Sequence, residues 1–263
     1  MTRSVAAMLA LLLSVPLQAA DPAQALADCM RANFPPAMKI QGMELVTTPK
    51  SGAAKTMRGR VFVSQVQKGS HAGQVRTMLR IDEPANLKGA AYLVAETDDF
   101  LRDGMYVYAP AVGRVRRVTG TFADGALMGS DFSYYDYKQL QSAFGDMKGQ
   151  PGGQEEVDGR PADVVTYQPL PSVETRYTSV KAWIDRAACV PVRAEFYEGP
   201  KVVKRLTSPP GALQQSGKYW YLSEIRMEGV PEGSRSVLKM SEVTSGGELP
   251  AVYFNPQSFY LAN

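Results

Sequence analysis

The sequence predicts a mainly β protein (α+β) built on one large, curled antiparallel sheet with two short helices. Apolar and polar residues alternate with a period of two in about twelve segments. Turn-forming pairs such as Asp103-Gly104 and Asp158-Gly159 separate nearly all of these segments. Because strand twist accumulates, a sheet of eleven or more strands cannot stay flat. It must either close on itself or remain a half-barrel covered by the helices.

The first twenty residues have the three-part pattern of a secretory signal peptide. Arg3 supplies the positive charge, residues 5–17 are apolar, and small residues precede Asp21. The apolar run is too short for a helix to cross a hydrocarbon core of roughly 30 Å. A buried N-terminal helix is the alternative. Cys29 does not directly follow the predicted cleavage point, so we expect a soluble exported protein, not a lipoprotein, with residues 21–263 as one domain.

The predicted elements begin with a helix and continue as two groups of strands. Asp21 can cap a helix that ends before Pro35, and Pro22 suits its first position. Residues 119–153 show no strand pattern, but residues 132–144 predict a second helix. The predicted strands are 39–48, 57–67, 74–82, 90–96, 105–109 and 114–118, then 160–167, 177–185, 190–197, 201–207, 219–227 and 235–243.

Two cysteines, Cys29 and Cys189, are present in the chain. In an exported protein an even number of cysteines predicts a disulfide. This one would close a loop of about 160 residues, which the chain-entropy model values at roughly 4–5 kcal/mol. Two buried free thiols are the alternative. Two distant cysteines and the single histidine, His71, do not form a ligand set, so we expect no metal.

Composition and motifs argue against nucleic-acid binding and catalysis. The net charge of +3 produces no strong electrostatic field. His71 lies in a Gly-Ser-His-Ala-Gly turn, and no G-x-S-x-G, H-E-x-x-H or Walker sequence is present. Asp98-Asp99 and Glu155-Glu156 lie beside turns, where solvated carboxylates are expected. We therefore expect no enzymatic activity and no cofactor, and keep a hydrolase only as a third hypothesis.

The segment RVRRVTGTFADGALMGSDFSYYDY joins a basic strand to a Gly-rich loop and an aromatic stretch. Alternate strand residues share a face, so two of the arginines point one way and the third points the other. Buried arginines need carboxylate partners, which the following loop supplies. Recognition of a lipid headgroup or of a partner protein is the alternative. The residues concerned are Arg114, Arg116 and Arg117, followed by Asp131 and Asp136.

Three stretches carry a resemblance to a known family. The longest reads YAPAVGRVRRVTGTFADGALMGSDFSYYDY, and the others read VKAWIDRAACVPVRAEFYEGPKVVKRL and LPAVYFNPQSFY. They resemble the LolA-like outer-membrane lipoprotein-sorting proteins, and more closely a branch with a YLP…RVRRI…G…MGTDFSYEDL signature. The resemblance covers most of the mature chain. Ser130 stands where the signature has threonine. Tyr135 and Tyr137 stand where it has glutamate and leucine, so the region is more aromatic than the signature.

The resemblance implies a LolA/LolB-like half-barrel of about eleven antiparallel strands, with helices covering its concave face. It implies a periplasmic, non-enzymatic carrier that binds lipid or lipoprotein acyl chains during lipoprotein sorting or lipid transport. An inner-membrane exporter of the resistance-nodulation-division type, or an outer-membrane acceptor, is an implied partner. The alternative function is a sensor or interaction module that docks on a membrane transport complex.

The segment after the basic strand is then expected to form a flap over the cavity. Ion pairs between the arginines and the two aspartates would hold the flap in place, and aromatic side chains would surround the opening. The residues predicted at the cavity rim are Tyr106, Tyr108, Phe132, Tyr134 and Tyr135.

Overall fold

The computed structural model describes residues 21–70, 72–96, 104–118, 123–141, 143–145 and 147–262. The predicted signal peptide, His71 and Asp98-Asp99 lie outside these ranges. The helices are α1 (Pro22–Ala32) and α2 (Tyr134–Gln141). The strands are β1 (Ala37–Thr48), β2 (Lys55–Gln65), β3 (Val75–Glu83), β4 (Ala91–Ala95), β5 (Gly104–Ala109), β6 (Arg114–Val118), β7 (Met147–Val157), β8 (Arg160–Pro169), β9 (Ser179–Asp185), β10 (Val190–Glu198), β11 (Lys201–Thr207), β12 (Leu213–Ser216), β13 (Tyr219–Leu222), β14 (Glu224–Gly229) and β15 (Ser234–Ser245). Among the described residues, no helix has the length and apolar character needed to cross a membrane.

Thirteen strands form one antiparallel sheet made of two meanders. Its order is β6-β5-β4-β3-β2-β1-β15-β14-β11-β10-β9-β8-β7, and β12 and β13 form a separate hairpin. The meanders join where β1 pairs with the last strand, β15. The two edge strands, β6 and β7, are consecutive in the chain. The chain between Val118 and Met147, which we name the crossing segment, therefore has to pass from one edge of the open sheet to the other.

The main core lies on the concave face of this sheet. It combines Met43 of β1 and Val165 of β8 with Met30 of α1 and Tyr135 of α2. A flat sheet could not bring side chains from strands so far apart onto the same short helices. The predicted curled half-barrel with helices over its concave face is therefore confirmed.

The first helix forms as the sequence predicts. The Asp21 carboxylate accepts a hydrogen bond from the backbone N–H of Ala23 at 3.0 Å, and proline occupies the first helical position. The opposite wall has no side chain at Gly149, where an added Cβ would lie 3.1 Å from the Ala23 Cβ. The missing side chain therefore allows α1 to approach β7 closely.

The prediction that residues 119–153 contain no strand is wrong, because β7 begins at Met147. Met147 is the only fully buried residue of this strand, so no alternation of apolar and polar residues marks it. The strand also contains Pro151, which edge strands tolerate because one side of their backbone is unpaired. The predicted strand 219–227 is likewise two strands, β13 and β14, which belong to different sheets.

The C-terminal residues cover the outer face of the first meander. Phe254 and Phe259 are buried against Phe62 of β2 and Met78 of β3. This second apolar layer buries the outer face of several strands, whose residues therefore show weaker alternation than a one-sided sheet would.

Candidate functional site

An apolar cavity lies at the end of the concave face where β1 begins. Its volume is about 200 Å³, and its walls come from α1, β1, β2, α2, β10, β11, β14 and the hairpin β12–β13. Met30, Met38, Leu206 and Ile225 are typical of its lining, and none of the described lining residues carries a charge. Apolar cavities of about 150 Å³ stay dry and bind small apolar molecules. The cavity can therefore accept a hydrocarbon group.

The one amide side chain in the lining holds the hairpin in place. The Nδ2 atom of Asn33 donates a hydrogen bond to the carbonyl oxygen of Trp220 at 2.8 Å. Its Oδ1 atom accepts one from the backbone N–H of Trp220 at 2.9 Å. Asn33 thus fixes the hairpin to the end of α1.

The structure contains the predicted disulfide between Cys29 and Cys189, and Cys189 lines the cavity. The turn before Cys189 is organised by Asp185, whose carboxylate accepts hydrogen bonds from the backbone N–H of Ala188 at 2.8 Å and from Arg160 at 2.5 Å. Burial alone would raise the pKa of Asp185, but these hydrogen bonds outweigh burial and lower it. One wall of the cavity is therefore held by a covalent bond and a buried carboxylate.

The crossing segment is held at the opposite end of the concave face by Asp136, which is fully buried. Its carboxylate accepts hydrogen bonds from the Tyr177 hydroxyl at 2.8 Å, the Lys204 ammonium at 2.6 Å and the Ser133 N–H at 2.7 Å. The Ser133 hydroxyl accepts one from the Asp136 N–H in return, which caps the start of α2. Burial, and secondarily Asp136, raises the pKa of Tyr177, so the hydroxyl remains a donor.

Asp131 makes a second polar attachment between the crossing segment and β15. Its carboxylate accepts hydrogen bonds from the hydroxyls of Ser234 and Ser236. Its backbone N–H donates to the Ser236 hydroxyl at 2.9 Å. The loop before α2 is therefore fixed to the start of the last strand.

These partners correct the predicted ion pairs with arginine. The cation beside Asp136 is Lys204, and hydroxyl groups surround Asp131. Arg114, Arg116 and Arg117 lie exposed on β6. The physical reason is topological: β6 is an edge strand, whereas the crossing segment carries the carboxylates over to β11 and β15. Lys204 lies 68 residues from Asp136, and no local sequence pattern links them.

The predicted rim residues also lie elsewhere, because none of the five is part of the cavity lining. Tyr106 and Tyr108 point to the outer face of β5, where the Tyr108 ring stacks on Tyr260 with centroids 4.0 Å apart. Phe132 and Tyr135 are buried in the main core. Tyr134 is half-buried beside Tyr92, and burial raises its pKa to about 12.

The aromatic residues that do line the cavity are Phe34, Trp220 and Tyr221. All three are half-buried, so each keeps part of its surface accessible to solvent. The sequence offered one signal for the last two: the run Tyr-Trp-Tyr after the Ser-Gly-Lys turn is unusually aromatic for a loop region. Within a strand predicted to be continuous, this run had no distinct role.

Comparisons with known proteins place the chain in a family. One family model, whose description is "Uncharacterized protein", matches residues 73–260, which is most of the chain. No curated protein matches the sequence significantly.

Several solved structures share the fold. A DUF1329 family protein from Desulfovibrio piger is 24% identical, with a TM-score of 0.78 over 89% of this chain and 98% of that chain. A proposed outer membrane lipoprotein-sorting protein domain from Vibrio parahaemolyticus is 23% identical, with a TM-score of 0.77 over 88% and 95%. A LolA superfamily protein from Nitrosomonas europaea is 20% identical, with a TM-score of 0.67 over 90% and 98%. The chain therefore belongs to the DUF1329-like family, and its fold is that of the LolA-like proteins.

Proposed function

We propose that this protein is a periplasmic carrier that binds an acyl chain of a lipid or lipoprotein in the apolar cavity. The observation that carries the proposal is a cavity of about 200 Å³ whose described lining contains no charged side chain. A polar or charged substrate would lose its hydration there without gaining partners, which is costly. A hydrocarbon chain has no such favourable hydration to lose.

The energetics suit reversible binding. Each buried methylene contributes about 0.8 kcal/mol, whereas association costs roughly 4–15 kcal/mol in lost freedom. The balance of these two contributions lets the part of a chain that the cavity encloses bind and still be released to an acceptor. Met30 and Met38 in the wall add adaptability, because the unbranched thioether side chain fills irregular space.

The size of the cavity defines how the ligand sits. Sites for whole drug-sized ligands usually measure about 300–1,000 Å³, so this cavity of about 200 Å³ is smaller. We propose that one chain enters by its methyl end while the headgroup stays outside. The protein would then act on the tail alone, with no bond made or broken.

The N-terminal sequence and the solved structures with this fold support this role. The signal-peptide pattern at the N-terminus suits export, and solved structures with this fold include one described as a lipoprotein-sorting domain. A carrier in that compartment needs a donor and an acceptor membrane or protein. We propose that an inner-membrane exporter or an outer-membrane acceptor is one of these two partners.

Native mass spectrometry of the protein purified without detergent tests the proposal. We expect a population whose mass exceeds the polypeptide by that of a lipid or fatty acid, and binding of added palmitate by delipidated protein. Val63→Phe places a ring in the cavity and should abolish both. Val112→Phe is the matched control, since Val112 is 49% exposed on the β5–β6 turn. A protein that is isolated empty and does not bind palmitate would support the docking-module alternative instead.

A further inference from the structure

The chain forms an additional hairpin between β11 and β14, where a short turn could have connected the two strands. β11 and β14 are neighbours in the main sheet, yet residues 208–223 leave the sheet between them and form the hairpin β12–β13. The inner side of the hairpin, through Leu213 and Leu222, packs on Val190 and Val192. The hairpin is therefore a fixed structure that stands beside the cavity rather than a loose loop.

The tip of this hairpin has the composition of a membrane contact. Lys218 is exposed, and its Nζ atom lies 5.3 Å from the centroid of the Tyr219 ring. Tyr219, Trp220 and Tyr221 are half-buried, so each ring keeps part of its surface in water. Tyrosine and tryptophan favour the boundary between water and hydrocarbon because one end of each ring is polar.

The charge of the hairpin is complementary to an anionic surface. Lys218 is the only charged residue between Leu213 and Leu222, and this stretch contains no carboxylate. A lysine close to a membrane with anionic phospholipids gains about 1 kcal/mol from the surface potential. The hairpin therefore combines aromatic side chains with a positive charge that an anionic surface attracts, and it carries no carboxylate that such a surface would repel.

The same hairpin forms part of the cavity wall. Trp220, Tyr221 and Leu222 line the cavity, and Phe34 lies on its α1 side. A chain that left a bilayer through water would expose every methylene at about 0.8 kcal/mol each. If the hairpin rests on the bilayer, the chain passes from lipid to cavity along an apolar path.

We propose that the hairpin β12–β13 docks the protein on a membrane surface that contains anionic phospholipid, with the cavity opening towards the lipid. The purpose of the contact rests on the proposed carrier function, but docking itself can be measured separately from binding of the tail.

Vesicle flotation tests the docking. The protein should float with vesicles of phosphatidylglycerol and phosphatidylcholine, and less with phosphatidylcholine alone. Lys218→Gln should lower the partition coefficient about fivefold, and Tyr219→Ala should lower it further. Lys201→Gln is the matched control, because Lys201 is an exposed lysine in the main sheet at the start of β11. Equal losses for Lys218→Gln and Lys201→Gln, or no flotation of the wild type, would overturn the proposal.

The two tryptophans of the chain locate the contact. Trp183 is 2% exposed on β9, whereas Trp220 lies at the hairpin. Because Trp220 also lines the cavity, both variants carry Val63→Phe, which keeps acyl chains out of the cavity. Vesicles with brominated acyl chains should then quench the fluorescence of Trp183→Phe, which retains Trp220, and should leave Trp220→Phe unquenched. If Trp183→Phe does not fold, the wild type and Trp220→Phe give the same comparison. Equal quenching of both tryptophans contradicts docking through the hairpin.

Binding of dispersed palmitate separates the two proposals, because neither Lys218 nor Tyr219 lines the cavity. We expect their variants to bind palmitate like the wild type while losing flotation. A wild type that floats but does not bind palmitate refutes the carrier and leaves docking supported. A wild type that binds palmitate but does not float refutes docking and leaves the carrier supported.

Discussion

The two ends of the concave face differ in what their side chains require. At one end, Asp136 is buried with Lys204 and Tyr177, and each of these groups needs the others. At the other end, the cavity is lined by groups such as Met38 and Leu206, which need no particular partner. The same crossing segment contacts both ends: its Asp131 lies at the polar end, and its Ala143 lines the cavity.

This difference separates attachment from binding. A buried charge that loses its partner keeps the cost of desolvation, so the polar end resists opening. An apolar wall loses only contact area when it separates, and a ligand can restore that area. The crossing segment is therefore anchored where its contacts are specific and can adapt where they are not.

The largest effect is expected at the polar end. Asp136→Asn leaves the Lys204 ammonium, which is mostly buried, without its counter-charge, and should lower the free energy of unfolding by about 3–5 kcal/mol. Denaturant unfolding of the wild type and the variant measures this loss of unfolding free energy. The double variant Asp136→Asn with Lys204→Met should recover part of the loss. Asp163→Asn removes the partner of the exposed Arg186 as control, and should cost no more than about 1 kcal/mol. Similar losses of unfolding free energy in Asp136→Asn and Asp163→Asn would contradict the special cost assigned to the buried pair at the polar end.

At the cavity end, the covalent link should matter for both stability and binding. Replacing Cys29 and Cys189 together by serine should lower the free energy of unfolding by about 2–5 kcal/mol. Because Cys189 lines the cavity and the bond holds α1 against the turn, palmitate affinity should fall as well. Calorimetry of the oxidised wild type and the double variant gives both quantities. Unchanged affinity would show that the disulfide serves the fold alone.

The smallest expected effect concerns acid and the turn that carries Cys189. The pKa of Asp185 is lowered in the folded state, so its contribution to stability is complete above the unfolded value of about 3.9 and is lost as the pH falls below it. Unfolding midpoints measured between pH 6 and pH 3 should fall less steeply in Asp185→Asn than in the wild type. The pKa of Glu195 is also lowered in the folded state, so this residue should contribute to the pH dependence of the unfolding midpoint in both proteins. Parallel curves would contradict this role of Asp185.

Local patterns in the sequence were sufficient for most of the fold. Asp21 and Pro22 mark the start of α1, and the alternation along β1 reflects its one fully buried face. The strand β7 escaped notice because an edge strand with one buried residue has no reason to alternate. Strands β13 and β14 merged into one for a related reason: a break between two sheets needs no turn-forming residue.

The candidate site was less predictable from the same patterns. The sequence drew attention to part of the crossing segment, but its partners were sought among the nearest charges. Asp136 instead pairs with Lys204, and the aromatic residues that line the cavity are Phe34 and two of the hairpin rather than Tyr106 and Tyr108. The face to which Tyr106 and Tyr108 point depends on which side the C-terminal residues cover, and no local pattern contains that information.

By itself, the sequence determined the class of this protein: a large antiparallel sheet that has to curl, most of its strands and its two helices. These follow from interactions between residues close in the chain. Only the tertiary structure decided where the cavity lies, which cation faces Asp136 and which aromatic residues meet the solvent. Those features join residues that are far apart in the chain, and they exist only once the sheet has curled and brought its two meanders onto one core.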